Sequence, residues 1–248
     1  MDGLPHLSPD MSAAEACALL VEARWRQVGA GDWSWAFADP SDAWAARVTP
    51  FDPGYRMFAR DCLGGPASRW LPKVVDVLPL IRDAYVVVME RLWPAEESAA
   101  SALCAALGIA NETGARPPTA GPAVDADEPD LVALRPRIRR LLADGRSRYA
   151  RWAVSDIREG NVMADREGRL KLVDPLGVGG SKIVEALRSE RADLLRADFT
   201  LGQVEDFLTI PYFGPGREGE SERDDLLARA ASLYARKTAA GRDSGATT

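Results

Sequence analysis

Three polar residues in the second half of the chain, Asp156, Asn161 and Asp174, have a spacing that limits how this segment can fold. The first segment reads Asp156-Ile-Arg-Glu-Gly-Asn161, and Asp174 follows 13 residues after the asparagine. Between them stand an apolar triplet, turn-forming residues from Asp165 to Gly168, and a run that alternates apolar and polar residues. This order predicts a tight hairpin, because the alternation is typical of a strand and the polar quartet is typical of a turn. The hairpin would return Asn161 and Asp174 to one end of a sheet, near Asp156.

The chemistry of these three side chains indicates a metal beside an acid. Asn161 and Asp174 offer two oxygen ligands, which suit Mg²⁺, a hard cation that completes its shell with waters and phosphates. Asp156 could accept a proton from an attacking hydroxyl. The alternative is an ordinary surface hairpin with scattered acids, since an Asp five residues before an Asn is common by chance. The second Asp at this spacing favours the metal site.

This arrangement resembles the catalytic loop and metal-binding turn of the protein-kinase-like superfamily, including its aminoglycoside and choline phosphotransferase branch. The family's His-Arg-Asp stands here as Val154-Ser155-Asp156, its Asp-Phe-Gly as Asp174-Pro175-Leu176, and no Ala-Pro-Glu follows. The resemblance covers roughly residues 24–176. It implies that Asp156 is catalytic, that Asn161 and Asp174 hold Mg²⁺, and that ATP is the phosphate donor.

The first half of the chain carries weaker versions of the family's phosphate-binding motifs. Gly29 and Gly31 lie with Ser34 between two predicted strands, where glycine lets a backbone approach phosphates closely. A plain hairpin turn is the alternative. Arg47 stands where the family places a strand lysine, which implies a phosphate contact. Its alternatives are a surface charge or an ion pair with Asp61, the nearest candidate for the glutamate that the family places on the next helix.

A hinge between two lobes is implied by Val86-Val-Val-Met89-Glu90-Arg-Leu92. In the resemblance, Met89 lines an adenine pocket, while the backbone of Glu90 and Leu92 reads the adenine edge. The alternative is a buried central strand with ordinary exit residues. The tryptophans are read mostly as core residues, although Trp33 beside the glycines is a candidate for ligand contact.

The bulk composition limits the class of protein. The chain has 248 residues, 46% hydrophobic and 27% charged, which is typical of a globular protein. A net charge of −6 gives no general help to nucleic-acid binding. His6 is the one histidine and three cysteines are widely spaced, which disfavours a histidine triad, a zinc site and a disulfide framework. With no signal peptide and no apolar run near about 18 residues, we expect a cytoplasmic protein without a membrane partner.

The pattern along the chain predicts an α+β, bilobal protein-kinase-like fold. A capping box at Ser12 and Glu15 starts a helix, and three strands, a helix and two strands then make a five-stranded small lobe. The expected division is a small lobe over residues 1–93, a helical lobe over 94–238 and a disordered tail over 239–248. Helices are predicted over 94–107, 182–197, 201–208 and 221–237, a loop over 111–130, and a break or kink at Pro136 in the helical stretch that begins at Leu131.

Seven arginines crowd residues 135–151, just before the Asp156 loop. They could form a patch that attracts an acidic substrate, but pairing with nearby acids on a solvated helix face is the favoured interpretation.

Together these features predict an ATP- and Mg²⁺-dependent phosphotransferase that acts on a hydroxyl, with a small molecule favoured as the acceptor. The short distance from Asp174 to Ser181 leaves no room for the activation segment of a protein kinase. The alternative is a pseudokinase-type nucleotide-binding or scaffolding module, favoured by Arg47 and by the missing helix glutamate. Nucleotidyl transfer also stays open.

Overall fold

The computed structural model describes residues 3–112 and 124–240, with side chains as far as Ala235. The strands are β1 (Arg26–Ala30), β2 (Trp35–Ala38), β3 (Trp44–Thr49), β4 (Val74–Pro79), β5 (Tyr85–Glu90), β6 (Trp93–Pro94), β7 (Ala153–Ser155), β8 (Val162–Ala164), β9 (Leu170–Leu172) and β10 (Leu176–Val178). The helices are α1 (Ala13–Glu22), α2 (Pro53–Gly64), α3 (Glu97–Leu107), α4 (Pro129–Arg148), α5 (Gly180–Arg188), α6 (Ala192–Asp198), α7 (Leu201–Phe207) and α8 (Glu220–Ala240), with short 3-10 turns at Glu159–Asn161 and Pro211–Phe213.

A five-stranded antiparallel sheet forms the small lobe, in the order β1-β2-β3-β5-β4. Helix α2 joins β3 to β4, so the predicted series of three strands, one helix and two strands is confirmed. The α+β class is confirmed as well, since mainly helical structure with short strand pairs follows the sheet. The division of the chain at residues 93 and 238 stays a prediction.

The central strand β5 shows how the sheet separates two cores. Its side chains alternate between the two faces, as the pleat of a strand requires. Tyr85, Val87 and Met89 pack with α2, α3 and α4. Val86 and Val88 pack on the other face, in the core that α1 covers. All five are buried, which is why this stretch reads as a continuous apolar run.

Helix α1 begins where the sequence predicts. The Ser12 side chain accepts from the Glu15 backbone N–H at 3.3 Å, and the Glu15 carboxylate accepts from the Ser12 N–H at 2.7 Å. These two bonds are the predicted capping box. The helix buries Ala16 and Leu20 against the sheet.

The second half of the chain corrects two predictions. Helix α4 continues through Pro136, so a break there is wrong, while a kink at Pro136 stays a prediction. Pro136 lacks the N–H that would bond Val132, but Val132 is exposed on the solvent side while Leu134 and Ile138 anchor the helix in the core. The helix predicted over 182–197 is two helices, because Glu190 adopts a left-handed φ of 55° that ends α5 before α6 begins.

The predicted loop over 111–130 and the predicted disordered tail over 239–248 fall largely outside the described residues. Residues 113–123 of the predicted loop and residues 241–248 of the predicted tail lie there. In the part that the structure describes, residues 129–130 of the predicted loop belong to α4, and residues 239–240 of the predicted tail belong to α8.

Among the described residues, none of the helices combines the length and apolarity needed to cross a membrane.

The arginine-rich stretch is mostly paired, as the favoured interpretation predicts. Arg137 donates to Asp61 at 2.6 Å, and Arg140 reaches the same carboxylate at 3.4 Å. Other arginines of the stretch bind Glu112, Asp198 and the backbone carbonyls of Ala106 and Ala126. These contacts tie α4 to its surroundings.

A glycine sets how closely α2 approaches the strand that follows Asp174. A Cβ at Gly54 would lie 2.5 Å from the backbone oxygen of Leu176. Gly54→Ala is therefore expected to lower the free energy of unfolding by about 1–3 kcal/mol, because backbone must shift. The matched control is Gly64→Ala in the same helix, where a Cβ meets nothing within 4 Å and no loss of stability is expected. Urea unfolding midpoints compare them, and equal midpoints would contradict the prediction.

Candidate functional site

The hairpin that the sequence predicts is present and places two of the three polar residues together. Strands β8 and β9 pair antiparallel, with Val162 opposite Leu172. The buried Asp165 carboxylate holds the turn by accepting backbone N–H groups of Glu167 and Arg169 at 3.1 and 2.9 Å. The hairpin thereby brings Asp174, at its end, back beside Asn161, at its start.

Asn161 links the three predicted residues. Its side-chain nitrogen lies 2.9 Å from the backbone oxygen of Asp174. The same nitrogen lies 2.7 Å from the backbone oxygen and 2.8 Å from the carboxylate of Asp156. Asn161, Asp156 and Asp174 therefore form one cluster.

Asp156 is oriented by donors on both carboxylate oxygens. Oδ1 accepts from the Arg158 guanidinium at 2.9 Å, and Oδ2 accepts from Asn161. Gly177 borders the side chain, since a Cβ there would lie 3.5 Å from the Asp156 Cβ. The β7–β10 pair supports this arrangement, with the Asp156 N–H bonded to the Pro175 carbonyl.

Arg47 lies on β3 and points into the same cluster. Two of its nitrogens lie 3.1 Å from Asp174 Oδ2, and its Nε donates to the Ser34 hydroxyl at 2.7 Å. The Tyr55 ring covers the guanidinium, with 3.4 Å from Cζ to the ring centroid. The surface-charge alternative for Arg47 is wrong, because its side chain is only 15% exposed.

The second acid beside Arg47 is Asp52, which sequence reasoning missed. Arg47 lies 3.7 Å from the Asp52 carboxylate, whereas Asp61 pairs with Arg137, so Asp61 as the partner of Arg47 is wrong. Asp52 also caps α2 by accepting the Tyr55 N–H at 2.9 Å. An Asp before a Pro is a typical helix start, but no local signal indicates that this cap faces Arg47.

One guanidinium thus lies between the buried carboxylate of Asp52 and the half-buried carboxylate of Asp174. Burial raises the pKa of Asp52 to about 7, with Asp174 adding to the shift and Arg47 opposing it. Burial also raises the pKa of Asp174, again against the effect of Arg47. Burial disfavours the charged guanidinium, but Asp174, Tyr55 and Asp52 more than offset this and raise the pKa of Arg47. The cluster holds more negative charge than Arg47 can balance.

This imbalance predicts a pH dependence of stability. The pKa of Asp52 rises from 3.8 to about 7 on folding, so the folded state binds more protons and stability falls as pH rises through that window. Wild type should lose up to about 1.4 kcal/mol per pH unit relative to Asp52→Asn, which keeps a good cap and does not titrate. Urea unfolding at several pH values measures the difference. A difference that stays constant from acid to neutral pH would contradict the shift.

The segment with the predicted glycine motif connects β1 to β2 and is fastened to the second half of the chain. Gly31 N–H bonds the Ser34 carbonyl at 3.0 Å, and neither glycine of the motif requires a left-handed backbone. The Asp32 carbonyl accepts from Tyr212 N–H at 3.0 Å, and the Trp33 ring lies 5.4 Å from the Phe207 ring. A phosphate role for Gly29 and Gly31 stays a prediction, while Ser34 is placed at the cluster by its bond to Arg47.

The predicted hinge residues lie at the end of β5. Met89 is buried and accepts from the Tyr55 hydroxyl at 3.6 Å, so it packs beside the residue that covers Arg47. The Glu90 carboxylate accepts from the Lys73 N–H at 2.8 Å, and Leu92 is buried with its carbonyl bonded by Arg91. The buried-strand description holds, and adenine contact by these residues stays a prediction.

The Asn161–Asp174 pair fits a divalent cation. Asp174 Oδ1 is buried and has no hydrogen-bond partner, although a buried acceptor ordinarily has one. A carboxylate and an amide suit Mg²⁺ better than a softer metal. No group of three or more His, Cys, Asp or Glu able to hold a metal occurs among the described residues. A cation here would therefore depend on Asp174, Asn161 and oxygens from its ligand.

Among known proteins, the similarities found are to solved structures. No family model and no curated protein matches the chain. The structure is similar to aminoglycoside phosphotransferase APH(3'')-Id from Streptomyces rimosus, with 11% identity over 90% of this chain and 99% of that one, at a TM-score of 0.33. It is also similar to a thermostable mutant of aminoglycoside phosphotransferase APH(4)-Ia in complex with AMP-PNP and hygromycin B. The identity there is 13% over 93% of this chain and 98% of that one, at a TM-score of 0.31. An aminoglycoside phosphotransferase from Alicyclobacillus acidocaldarius is 14% identical over 87% of this chain and 90% of that one, at a TM-score of 0.29. Similarity at this level says nothing of activity, so a functional proposal must depend on the site residues.

Proposed function

We propose that the chain is a Mg²⁺-dependent phosphotransferase that moves the γ-phosphoryl group of ATP to a hydroxyl of a small molecule. The observation that carries this proposal is the buried Asp52–Arg47–Asp174 arrangement, in which Asp174 Oδ1 has no partner beside Asn161. A buried acid oxygen without a donor is costly, and a cation at this oxygen would remove the cost. The same Asn161 nitrogen contacts both the Asp156 carboxylate and the Asp174 backbone, so an acceptor oriented by Asp156 would lie next to the cation.

Each residue then has one role in the transfer. Asp174 and Asn161 would hold Mg²⁺, which would supply positive charge against the negative charge that develops on the transferring phosphate. Arg47 binds phosphate oxygens, and its contact with Asp52 positions it. Asp156 accepts the proton of the acceptor hydroxyl as the new O–P bond forms and the bond to the leaving diphosphate breaks. Positioning and charge stabilisation are sufficient for this chemistry.

ATP is the proposed donor because two parts of the fold converge on Arg47. The end of β5 brings Met89 next to Tyr55, and the turn after β1 brings Ser34 to the guanidinium. A nucleotide that extends from Met89 past Tyr55 to Arg47 would place its base near Met89 and its phosphates near Arg47. Solved structures similar to this one contain AMP-PNP or ADP.

Thermal unfolding with ligands tests the proposal. Mg²⁺ with ATP is expected to raise the melting temperature, since a ligand that binds only the native state stabilises it by about 2.7 kcal/mol at 100 times its dissociation constant. Adding EDTA should remove most of the shift, and Asp174→Asn should remove it as well. The absence of a shift with ATP, ADP or GTP at millimolar concentration would exclude a nucleotide site.

A second function is favoured by one observation. Arg47 and Asp174 bind each other directly, and the turn from Gly31 to Ser34 is fastened to the second half of the chain by Asp32 and Trp33. A nucleotide-binding module without turnover could keep this closed arrangement. Nucleotide binding without transfer to any hydroxyl, measured over hours at high protein concentration, would favour this second function.

A further inference from the structure

Tyr55 in the first turn of α2 is fully buried, and its ring lies over the guanidinium of Arg47. The Arg47 Cζ lies 3.4 Å from the ring centroid, which places the two groups in van der Waals contact. A cation over an aromatic face is attracted by the ring, and the attraction is stronger where water is excluded. Water is largely excluded here, because the Arg47 side chain is only 15% exposed. The ring therefore constrains where the guanidinium can lie.

Tyr55 is itself held at both ends. Its backbone N–H donates to the Asp52 carboxylate at 2.9 Å, which fixes the residue at the start of the helix. Its hydroxyl donates to the Met89 sulfur at 3.6 Å, and burial raises the pKa of Tyr55 to about 12, so the hydroxyl remains a neutral donor. A ring fixed in this way can define the plane of a group that stacks on it.

The hydrogen bonds of Arg47 use the edge of the guanidinium and not its face. Nε donates to the Ser34 hydroxyl at 2.7 Å, and the two Nη atoms lie 3.1 Å from Asp174 Oδ2. Guanidinium N–H groups point outward in the plane of the group, so these bonds occupy the edge while Tyr55 covers one face. A lysine ammonium has no plane and cannot stack in the same way. The surroundings of Arg47 thus fit an arginine better than a lysine.

We propose that Tyr55 is a positioning residue that fixes the plane of the Arg47 guanidinium, so that its edge donors are directed at the phosphate oxygens. The proposal rests on the proposed phosphotransferase function, because phosphate is the group that Arg47 would bind there. Tyr55 acts through Arg47 and needs no contact with the nucleotide. Because its hydroxyl reaches Met89, the same ring also joins the proposed base end of the site to the proposed phosphate end.

Calorimetric titration with Mg²⁺ and ATP tests the role of the ring. Tyr55→Leu should weaken nucleotide binding about tenfold, since a stacked cation shielded from water loses its partner. Tyr55→Phe keeps the ring and should bind nearly as wild type does. The matched control is Phe58→Leu, because Phe58 is equally buried in α2 and its ring lies 5.9 Å from that of Tyr55. This variant leaves a similar cavity in the core, so it should lose stability and keep its nucleotide affinity.

Arg47→Lys in two backgrounds tests whether the ring and the guanidinium act together. A lysine gains little from the ring, so Arg47→Lys should weaken nucleotide binding in the protein that has Tyr55. In the Tyr55→Leu background the ring is already gone, and the same replacement should cost at least about threefold less affinity. Equal losses in the two backgrounds would show that the two residues act independently and would overturn the proposal.

Other outcomes separate this proposal from a packing role and from the proposed function. Equal affinity losses in Tyr55→Leu and Phe58→Leu would assign Tyr55 to the core alone and overturn the proposal, as would a loss in Tyr55→Phe as large as that in Tyr55→Leu. Nuclear Overhauser contacts between the Arg47 Nε–H and the Tyr55 ring protons test the stack in wild type without ligand, so they decide even if Tyr55→Leu does not fold. Their absence would overturn the proposal. If these contacts are present and wild type binds no nucleotide, the stack is supported and the proposed phosphotransferase function is overturned.

Discussion

Arg47→Ala is expected to lower the free energy of unfolding by about 3–5 kcal/mol, because it leaves buried charge without its partner. Asp52 and Asp174 lie 3.7 and 3.1 Å from the guanidinium. Nucleotide affinity should fall tenfold to a hundredfold, since a charge-assisted contact contributes about 1.5–3 kcal/mol. Urea unfolding measures the first effect and calorimetric titration with Mg²⁺ and ATP measures the second.

Two further variants separate the two effects of Arg47. Adding Asp52→Asn to Arg47→Ala removes one of the facing carboxylates, so it should recover part of the stability without recovering affinity. Arg47→Lys keeps the charge but loses the planar contact with Asp174 and Ser34, so partial function is expected. An unchanged nucleotide dissociation constant in Arg47→Ala would contradict the phosphate role.

Asp156→Asn is expected to lower turnover by about a hundredfold to ten-thousandfold while nucleotide affinity stays close to wild type. The carboxylate would accept the acceptor's proton, and an amide cannot. The fold should hold, since an asparagine keeps an oxygen for the Asn161 nitrogen now 2.8 Å from Asp156. Steady-state transfer to the acceptor and calorimetric titration with Mg²⁺ and ATP give the two quantities.

Asp174→Asn is the comparison for Asp156→Asn. It removes the charge that would hold Mg²⁺, so nucleotide affinity and turnover should fall together. If both variants lose nucleotide affinity equally, the separation of roles between Asp156 and Asp174 is wrong. Melting temperatures of the two proteins without ligand serve as the control for folding.

Local patterns in the sequence predicted local structure well. The capping box at Ser12, the order of strands around α2, and the hairpin between Asn161 and Asp174 are all present. Each depends on residues a few positions apart, where turn chemistry and side-chain alternation act directly. The two local failures, at Pro136 and Glu190, have the same kind of cause. Packing of Leu134 and Ile138 kept one helix whole, and a single left-handed residue divided another.

The partners of Arg47 were decided by tertiary structure. Its place on a strand was predictable, but Asp174 lies 127 residues away in sequence, and the packing of α2 against β10, the strand that follows Asp174, brings the two segments together.

The sequence by itself determined the elements and the residue types that can do chemistry, because helix caps, turns and alternation are short-range effects. Only the tertiary structure decided which of these residues share one buried environment. Burial sets the cost of a charge and therefore which ion pairs form, and burial is a property of the whole fold.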